Sequence, residues 1–376
     1  MLSLRFISTL LLVLATTSLA LPQAKKAPHQ PRFRLEAEKL FAKHDRDQDQ
    51  RLSKQEFPPA LKNLFPLIDT NADGFLTLTE DIAFRSARAD RRRRSSAAKR
   101  LPENYAAHYD LIYATVGKTQ LHLDLFCPQA SSGKHPLILW IHGGAWRSGS
   151  KDQCPALRFT QRGYVVASVN YRLSQQAIFP AQIQDCKAAV RWLRAHASRY
   201  AIDPERIGVW GSSAGGHHVA MLGTAGDVTE LEGTLENRQF SSRVQAVCDF
   251  FGPTDFLQMD DHALPSAPFK HAAASSPESQ LVGGPLQDNR ALAAQANPIT
   301  FVTADDAPFL IVHGDRDPLV PHHQSQLLFE ALRKAQVPAT FHTVAGAGHG
   351  FGNNPHVQKM VDRFFDEQLM RPPGES

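Results

Sequence analysis

One stretch of the 376-residue chain reads Arg206-Ile-Gly-Val-Trp-Gly-Ser-Ser-Ala-Gly-Gly-His-His-Val-Ala-Met-Leu222. It opens with a short apolar run, which predicts a buried strand, and it closes with the apolar residues 219–222, which are typical of one face of a helix. Between them lies a G-x-S-x-G, in which the glycines let Ser213 occupy a sharp strand-to-helix turn with its hydroxyl exposed. The stretch therefore predicts a nucleophilic Ser213. The N–H of Ala214, at the start of the helix, is placed to stabilise an oxyanion.

Turns of small residues between a strand and a helix are also common where they have no catalytic role. The pattern of the surrounding chain is therefore needed to distinguish a catalytic turn from a structural one. Residues 110–116 and 121–126 alternate polar and apolar side chains, as an antiparallel edge hairpin does. Continuous apolar runs predict buried parallel strands, and apolar residues at helical spacing predict helices between them. The predicted strands are 136–141, 164–170, 207–210, 244–251, 308–312 and 339–344, and the predicted helices are 181–200, 324–335 and 357–369.

This alternation predicts an α/β fold, a mostly parallel sheet covered by helices on both faces, over residues 105–371. Residues 255–306 are rich in Ala, Ser and Pro and carry no strong periodicity, and we expect them to form an insertion over the sheet edge. In such sheets, catalytic groups gather at the carboxyl ends of the strands.

Three further strand ends carry residues that can take part in catalysis. After residue 141 comes a glycine-rich loop, where the N–H groups of Gly143 and Gly144 can complete an oxyanion hole with Ala214. After the strand 308–312 come two acids, Asp315 and Asp317, and after the last strand His349 lies in a loop of small residues. A glycine loop can also bind phosphate, but the chain has no G-x-G-x-x-G, which argues against a dinucleotide site.

The chain order serine, acid, histidine is that of α/β-hydrolases. It implies that Ser213 is the nucleophile, that His349 takes its proton, and that the acid orients and stabilises the imidazolium. The order alone leaves Asp315 and Asp317 both open as the acid.

From about residue 110 to residue 369 the chain resembles the bacterial α/β-hydrolase esterases related to hormone-sensitive lipase, and most of all the bifunctional carbohydrate deacetylase and feruloyl esterase group. The motifs that carry the resemblance are His142-Gly-Gly-Ala-Trp146, Tyr171-Arg172, Asp185-Cys-Lys-Ala-Ala-Val-Arg-Trp-Leu193, Gly211 to His217, Phe251-Gly-Pro-Thr-Asp255, His313-Gly-x-x-Asp317 and Gly348-His-Gly-Phe351. The resemblance implies Asp317 as the acid. It also implies hydrolysis of small acyl esters, such as acetyl or feruloyl groups on plant polysaccharides.

Residues 35–84 hold two acidic loops of the same spacing. In each loop, oxygen-bearing side chains occupy positions one, three, five, nine and twelve, a spacing that wraps hard oxygen ligands around one Ca²⁺ ion. The predicted side-chain ligands are Asp45, Asp47, Asp49 and Glu56 in the first loop and Asp69, Asn71, Asp73 and Glu80 in the second, with Ser53 and Thr77 at position nine. The repeat resembles an EF-hand pair, which implies the position-seven carbonyls of Arg51 and Phe75 as further ligands.

The two loops differ at position six, where the chain needs a left-handed turn. The second loop has Gly74 there, whereas the first has Gln50, for which that conformation costs on the order of 1 kcal/mol. The first loop offers four carboxylates and the second offers three. Because these effects oppose each other, the sequence does not rank the two Ca²⁺ affinities.

The net charge of +4 is unevenly distributed. Residues 85–100 contain eight basic residues and one acid, and the rest of the chain has a net charge of −3. We interpret 85–104 as a basic linker between the two domains, and the overall charge does not predict nucleic-acid binding.

Residues 1–20 have the pattern of a secretory signal peptide, with one positive charge, a short apolar run and a small-x-small cleavage site. The run is shorter than the ~20 residues that a membrane span needs. We therefore expect a secreted or periplasmic protein without a membrane span in its mature chain. The four cysteines allow three disulfide pairings, among which the sequence does not choose, and Cys186 and Cys248 lie in apolar contexts typical of buried free thiols.

Our interpretation is an exported serine esterase that binds Ca²⁺ through its first domain and uses no cofactor in catalysis. Three alternatives stay open at this point. The same catalytic residues serve an arylformamidase-like amidase or a lipase. The chain could also be a Ca²⁺-dependent binding protein built on a hydrolase scaffold that performs no catalysis.

Overall fold

The structure is a computed structural model that describes residues 31–129, 133–226 and 228–370. The predicted signal peptide, 1–20, lies outside the described residues. The chain divides into two compact units after Ser95. Within the described ranges, no helix combines the length and the apolar character that crossing a membrane requires.

Among its described residues, the first unit contains two short strands and three helices. The strands are β1 (Arg51–Ser53) and β2 (Phe75–Thr77), and the helices are α1 (Pro31–His44), α2 (Phe65–Ile68) and α3 (Leu78–Ala98), with a 3₁₀ turn at Pro59–Leu64. The strands pair antiparallel with Leu52 opposite Leu76, and both leucines are fully buried. They pack with Phe41, Phe57, Phe65 and Ile68 into a small core.

The basic segment is largely helical. Residues 85–98 of the predicted linker 85–104 belong to α3, and the division between the two units falls inside that range. Alanine and arginine favour helices, and no glycine or proline interrupts the chain between Leu78 and Ala98, so the helix of the second acidic loop continues through the basic residues.

The second unit is built on an eight-stranded sheet in the order β10-β9-β8-β7-β5-β6-β4-β3. Its strands are β3 (Tyr105–Val116), β4 (Thr119–Pro128), β5 (His135–Ile141), β6 (Val165–Val169), β7 (Ile202–Ser212), β8 (Ala246–Phe250), β9 (Phe309–Gly314) and β10 (Ala339–Val344). Strand β4 pairs antiparallel with β3 and β6, and the other neighbours are parallel. This confirms the predicted edge hairpin and the mostly parallel α/β sheet.

Helices cover both faces of the sheet. They are α4 (Ala181–Ala195), α5 (Ala214–Thr224), α6 (Thr229–Glu232), α7 (Pro277–Leu281), α8 (Arg290–Gln295), α9 (His323–Lys334) and α10 (Pro355–Phe365), which ends in a π-helical turn, Asp366–Met370. Along β5, Leu137 and Leu139 face a core shared with α4, α5 and α9, whereas Ile138 and Trp140 face a second core shared with α10. Because both faces are buried, the central strands are continuous apolar runs rather than alternating ones.

The insertion 255–306 forms short helices, including α7 and α8, and its position differs from our expectation. It packs beside the centre of the sheet, against α5, rather than over the sheet edge: His217 Nε2 contacts the carbonyl of Ala296 at 2.7 Å, and Phe256 packs on His217. Several apolar side chains of the insertion, among them Met259 and Leu281, are buried in the core. Those side chains anchor it.

All four cysteines are free. Burial raises the pKa of the thiols of Cys127 and Cys154, to about 11 and about 12. Cys186 and Cys248 are fully buried among apolar residues, which confirms their predicted role as packing residues.

Candidate active site

Ser213 lies on the turn between β7 and α5. Its backbone has φ 55° and ψ −123°, a conformation that costs a non-glycine residue on the order of 1–3 kcal/mol. Two hydrogen bonds hold it, from Ser213 N to the carbonyl of Phe250 at 2.9 Å and from His217 N to the carbonyl of Ser213 at 3.0 Å. A Cβ at Gly211 would lie 2.2 Å from the carbonyl oxygen of Gly215, so the turn closes only with glycine there. The sequence therefore folds into the sharp turn that its glycines predict.

The predicted oxyanion donors lie on both sides of this turn. Ala214 is the first residue of α5 and directly follows Ser213. Gly143 approaches from the loop after β5, since a Cβ built on it would lie 3.3 Å from Ser213 Cβ. Gly144, with φ +113°, begins a tight turn in which its carbonyl accepts hydrogen bonds from the next residues, including Ser148 N at 3.0 Å. Gly143 and Ala214 are thus beside Ser213, and Gly144 follows in the loop.

Several residues of the sequence motifs hold the glycine loop in place. The hydroxyl of Tyr171 donates to the carbonyl of His142 at 2.9 Å, and the two rings stack at 4.4 Å. The next residue, Arg172, binds the buried carboxylate of Asp185 on α4 through Nε and Nη2. Trp146 is buried against Phe256, so it acts as a packing residue of this loop.

His349 and Asp317 are in direct contact. His349 Nδ1 lies 2.6 Å from Asp317 Oδ2, whereas Asp315 Oδ1 accepts a hydrogen bond from the backbone of Gly346. Burial alone would raise the pKa of the Asp317 carboxyl, but hydrogen bonds from His313 and His349 outweigh burial and hold that pKa well below its usual value. Asp317 is therefore an ionised acceptor for the imidazole Nδ1–H.

His313 is a partner of this carboxylate to which the sequence assigned no role. Its Nε2–H faces two acceptors, Asp317 Oδ2 at 3.2 Å and the carbonyl of Val320 at 3.0 Å. Its Nδ1 lies 2.8 Å from the hydroxyl of Ser325. The available signal was its position at the end of β9, four residues before Asp317.

His349 and Ser213 both contact residues at the end of β8. The ring of Phe251 lies 4.5 Å from the ring of His349, and the carbonyl of the preceding Phe250 accepts the N–H of Ser213. Among hydrogen bonds between described residues, none joins Ser213 Oγ to His349. Catalytic hydrogen bonds are often long without substrate and tighten in the complex.

A second residue that the sequence did not single out is Asp249, on β8 opposite Gly211. Its carboxyl is fully buried, Oδ1 accepts from Gly252 N at 2.9 Å, and Oδ2 has no partner. Burial raises its pKa to about 7. A Cβ at Gly216 would lie 2.4 Å from this carboxyl, so the start of α5 packs directly on it. An acid inside an otherwise apolar strand was the available signal.

In the first unit, the two acidic loops have matching hydrogen bonds. The carboxylate at position one accepts a hydrogen bond from the backbone N–H at position six. Asp45 accepts from Gln50 in the first loop, and Asp69 accepts from Gly74 in the second. The carboxylate at position twelve, Glu56 or Glu80, accepts hydrogen bonds from the backbone N–H groups at positions two and nine of its own loop. Gln50 has φ 66° and Gly74 φ 86°, which confirms the left-handed turn expected at position six.

The first loop also fits a cation by its arrangement of oxygens. One carboxylate oxygen from each of Asp45, Asp47 and Asp49 lies within 4.8 Å of the others. Asp45 Oδ1 is buried without a hydrogen-bond partner. Asn71 and Asp73 hold equivalent positions in the second loop, and Arg51 and Phe75 begin the paired strands. Converging carboxylates repel each other unless a positive charge lies between them.

Comparison with known proteins gives consistent matches. The BD-FAE family model matches residues 123–332, more than half of the chain. The probable carboxylic ester hydrolase LipM of Mycobacterium tuberculosis is 31% identical over 279 residues, which cover 71% of this chain but only 63% of that relative. A truncated carbohydrate esterase from gut microbiota superposes with a TM-score of 0.63 at 35% identity, covering 72% of this chain and 99% of its own. An acetyl ester-xyloside bifunctional hydrolase from Caldicellulosiruptor lactoaceticus superposes with a TM-score of 0.56 at 25% sequence identity. That match covers 67% of this chain and 89% of the hydrolase chain.

Proposed function

Because the chain belongs to the BD-FAE family of the α/β-hydrolase fold, we propose that it is a serine carboxylesterase acting on small acyl esters. The observation that carries the proposal is the 2.6 Å contact between His349 Nδ1 and Asp317 Oδ2. With Nδ1–H donated to a carboxylate, Nε2 is the ring nitrogen that accepts a proton from a nucleophile.

In this proposal Ser213 Oγ attacks the ester carbonyl while His349 Nε2 takes its proton. The N–H groups of Gly143, Gly144 and Ala214 stabilise the negative charge that develops on the carbonyl oxygen. His349 then donates the proton to the leaving alcohol, and a water molecule repeats the sequence on the acyl-enzyme. Asp317 stays ionised throughout and stabilises the imidazolium.

We further propose that the esters are acetyl or feruloyl groups on carbohydrate. The names of two structural neighbours, a carbohydrate esterase and an acetyl ester-xyloside hydrolase, support this substrate class. The signal-peptide pattern of residues 1–20 supports export to a secreted or periplasmic location, where such polysaccharides are found.

A substrate panel tests the proposal. We expect the purified protein to release acetate from acetylated xylan or ferulate from a feruloylated sugar faster than it cleaves N-formylkynurenine or a long-chain triglyceride. Preference for N-formylkynurenine would identify an amidase, and preference for the triglyceride a lipase. Turnover of none of the four would favour the non-catalytic Ca²⁺-dependent binding protein.

For the first unit we propose two Ca²⁺ sites. Asp45, Asp47, Asp49 and Glu56, with the carbonyl of Arg51, would hold one ion, and Asp69, Asn71, Asp73 and Glu80, with the carbonyl of Phe75, the other. The converging carboxylates and the unpartnered Asp45 Oδ1 support this proposal. The ions would supply the positive charge that lets these acids lie close together.

Removal of Ca²⁺ is expected to destabilise the protein. A ligand that binds only the folded state at one hundred times its Kd contributes about 2.7 kcal/mol. EDTA should therefore lower the thermal unfolding temperature measured by calorimetry in Ca²⁺ buffer. The control is the double variant Glu56→Gln with Glu80→Gln, in which EDTA should have little effect. Identical melting profiles of the wild type with Ca²⁺ and with EDTA would contradict the proposal.

A further inference from the structure

A cavity of about 380 Å³ opens between two loops of the second unit. Ser174 and Gln175, from the loop after β6, line one side. The other side belongs to the insertion and is lined by Ser279, Gln280, Gly283, Gly284 and one alanine. The volume falls in the range of small-molecule sites, roughly 300–1,000 Å³. The lining presents hydroxyl and carboxamide groups and contains no charged or aromatic side chain.

The cavity adjoins the glycine loop of the candidate active site. Ser174 N donates to the carbonyl of Trp146 at 2.8 Å, and Gln175 Nε2 donates to the carbonyl of Arg147 at 2.9 Å. Arg147 N in turn donates to the carbonyl of Gly144 at 3.0 Å. These hydrogen bonds join the wall of the cavity to the loop that carries Gly143 and Gly144, two of the proposed oxyanion donors.

Ser279 indicates that the cavity is built for a polar occupant. Its side chain is fully buried, and Oγ has no hydrogen-bond partner in the structure. Its backbone N–H is already used, because it donates to Ser276 Oγ at the start of α7. Buried hydroxyls in proteins are normally hydrogen-bonded, and Ser279 is one of the residues that line the cavity, so its unpartnered Oγ favours a polar occupant.

The remaining polar groups favour a neutral ligand rich in hydroxyls. Gln280 Oε1 accepts a hydrogen bond from Arg147 Nη1 at 3.4 Å, so this guanidinium is engaged by a residue of the cavity wall. Carboxamides and hydroxyls both donate and accept, as sugar hydroxyls do. Ile178 lies beside Gly283 at the rim and is 48% exposed, which offers an apolar surface to one face of a sugar ring.

We propose that this cavity binds the sugar on the alcohol side of the ester, a neutral residue recognised through its hydroxyl groups. The inference rests on the proposed function and extends it from the reaction centre to the part of the substrate that leaves. The hydroxyls and carboxamides of the lining can hydrogen-bond a sugar while its glycines and alanine pack on the ring, and the lining residues include no cation for a phosphate.

Variants of the cavity wall test the inference with two substrates. Acetylated xylotriose carries a sugar and p-nitrophenyl acetate does not, so the ratio of their kcat/KM values reports on the sugar contact alone. For the double variant Ser279→Ala with Gln280→Leu we expect this ratio to fall about tenfold, chiefly through KM for the sugar ester. The inhibition constant of unmodified xylotriose against p-nitrophenyl acetate hydrolysis should rise by a similar factor.

Two further variants keep the test interpretable. Ser279→Ala alone removes no hydrogen bond of the structure, so it should fold as the wild type does and still lower the ratio. Gln287→Leu makes the same exchange as Gln280→Leu at an exposed position of the insertion outside the cavity lining, and it should leave the ratio unchanged.

The outcomes separate this inference from the proposed function. An unchanged ratio in the double variant, or equal losses on both substrates, overturns the sugar site and leaves the esterase intact. A wild type that hydrolyses p-nitrophenyl acetate but neither cleaves acetylated xylotriose nor is inhibited by xylotriose also overturns it. A wild type that hydrolyses no ester overturns the proposed function itself, and the sugar site with it.

Discussion

Replacement of Ser213 by alanine is expected to lower kcat/KM for p-nitrophenyl acetate by at least about a thousandfold. Alanine keeps the Cβ of residue 213, and the hydrogen bonds that hold the turn are made by its backbone, so the variant should lose the hydroxyl and little else. The measurement is steady-state hydrolysis, together with labelling of the protein by a fluorophosphonate, which should fail in the variant.

The neighbouring serine provides a matched control. Ser212 is the last residue of β7, and among the described residues its hydroxyl has no hydrogen-bond partner. Ser212→Ala should therefore retain activity within a few-fold and still be labelled. If Ser213→Ala hydrolysed the aryl ester as fast as Ser212→Ala, the nucleophile would have to be another residue.

Replacement of Asp317 by asparagine is expected to lower kcat by about a thousandfold to ten-thousandfold. An amide of the same shape cannot stabilise the imidazolium, and it can turn the imidazole of His349 into the unproductive tautomer. Because hydrogen bonds hold the pKa of the Asp317 carboxyl well below its usual value, the wild-type carboxylate is ionised at every pH at which the assay runs. We therefore expect the loss to persist from pH 6 to pH 9.

Asp315 is the control, since the sequence alone left both acids open. Its Oδ1 accepts from Gly346 N, and Asp315→Asn keeps an oxygen for that hydrogen bond. We expect it to lower kcat less than tenfold. A larger loss in Asp315→Asn than in Asp317→Asn would assign the triad acid to the other carboxylate. Thermal unfolding of both variants shows whether either loss reflects misfolding.

Local patterns predicted most of the sheet. The central strands of the second unit are apolar runs bounded by glycine, proline or polar residues, and the turn at Ser213 follows from glycines whose added Cβ atoms would collide. Both are properties of short segments, so they can be inferred without knowing what packs on them.

The remaining features depend on contacts between distant segments. The packing of the insertion on α5 comes from apolar residues without periodicity. Asp249 becomes important only because β8 pairs with β7 and brings its carboxyl to Gly216 at the start of α5. The cavity combines the loop after β6 with α7, about 100 residues later. Sequence spacing carries no signal for such pairs.

The four free cysteines have a consequence for biosynthesis. Burial raises the pKa of each thiol, so at neutral pH almost none is the thiolate that attacks disulfides. The four thiols are thus poor partners for thiol–disulfide exchange in the folded protein. We expect the described residues to reach their fold under reducing conditions without a disulfide isomerase.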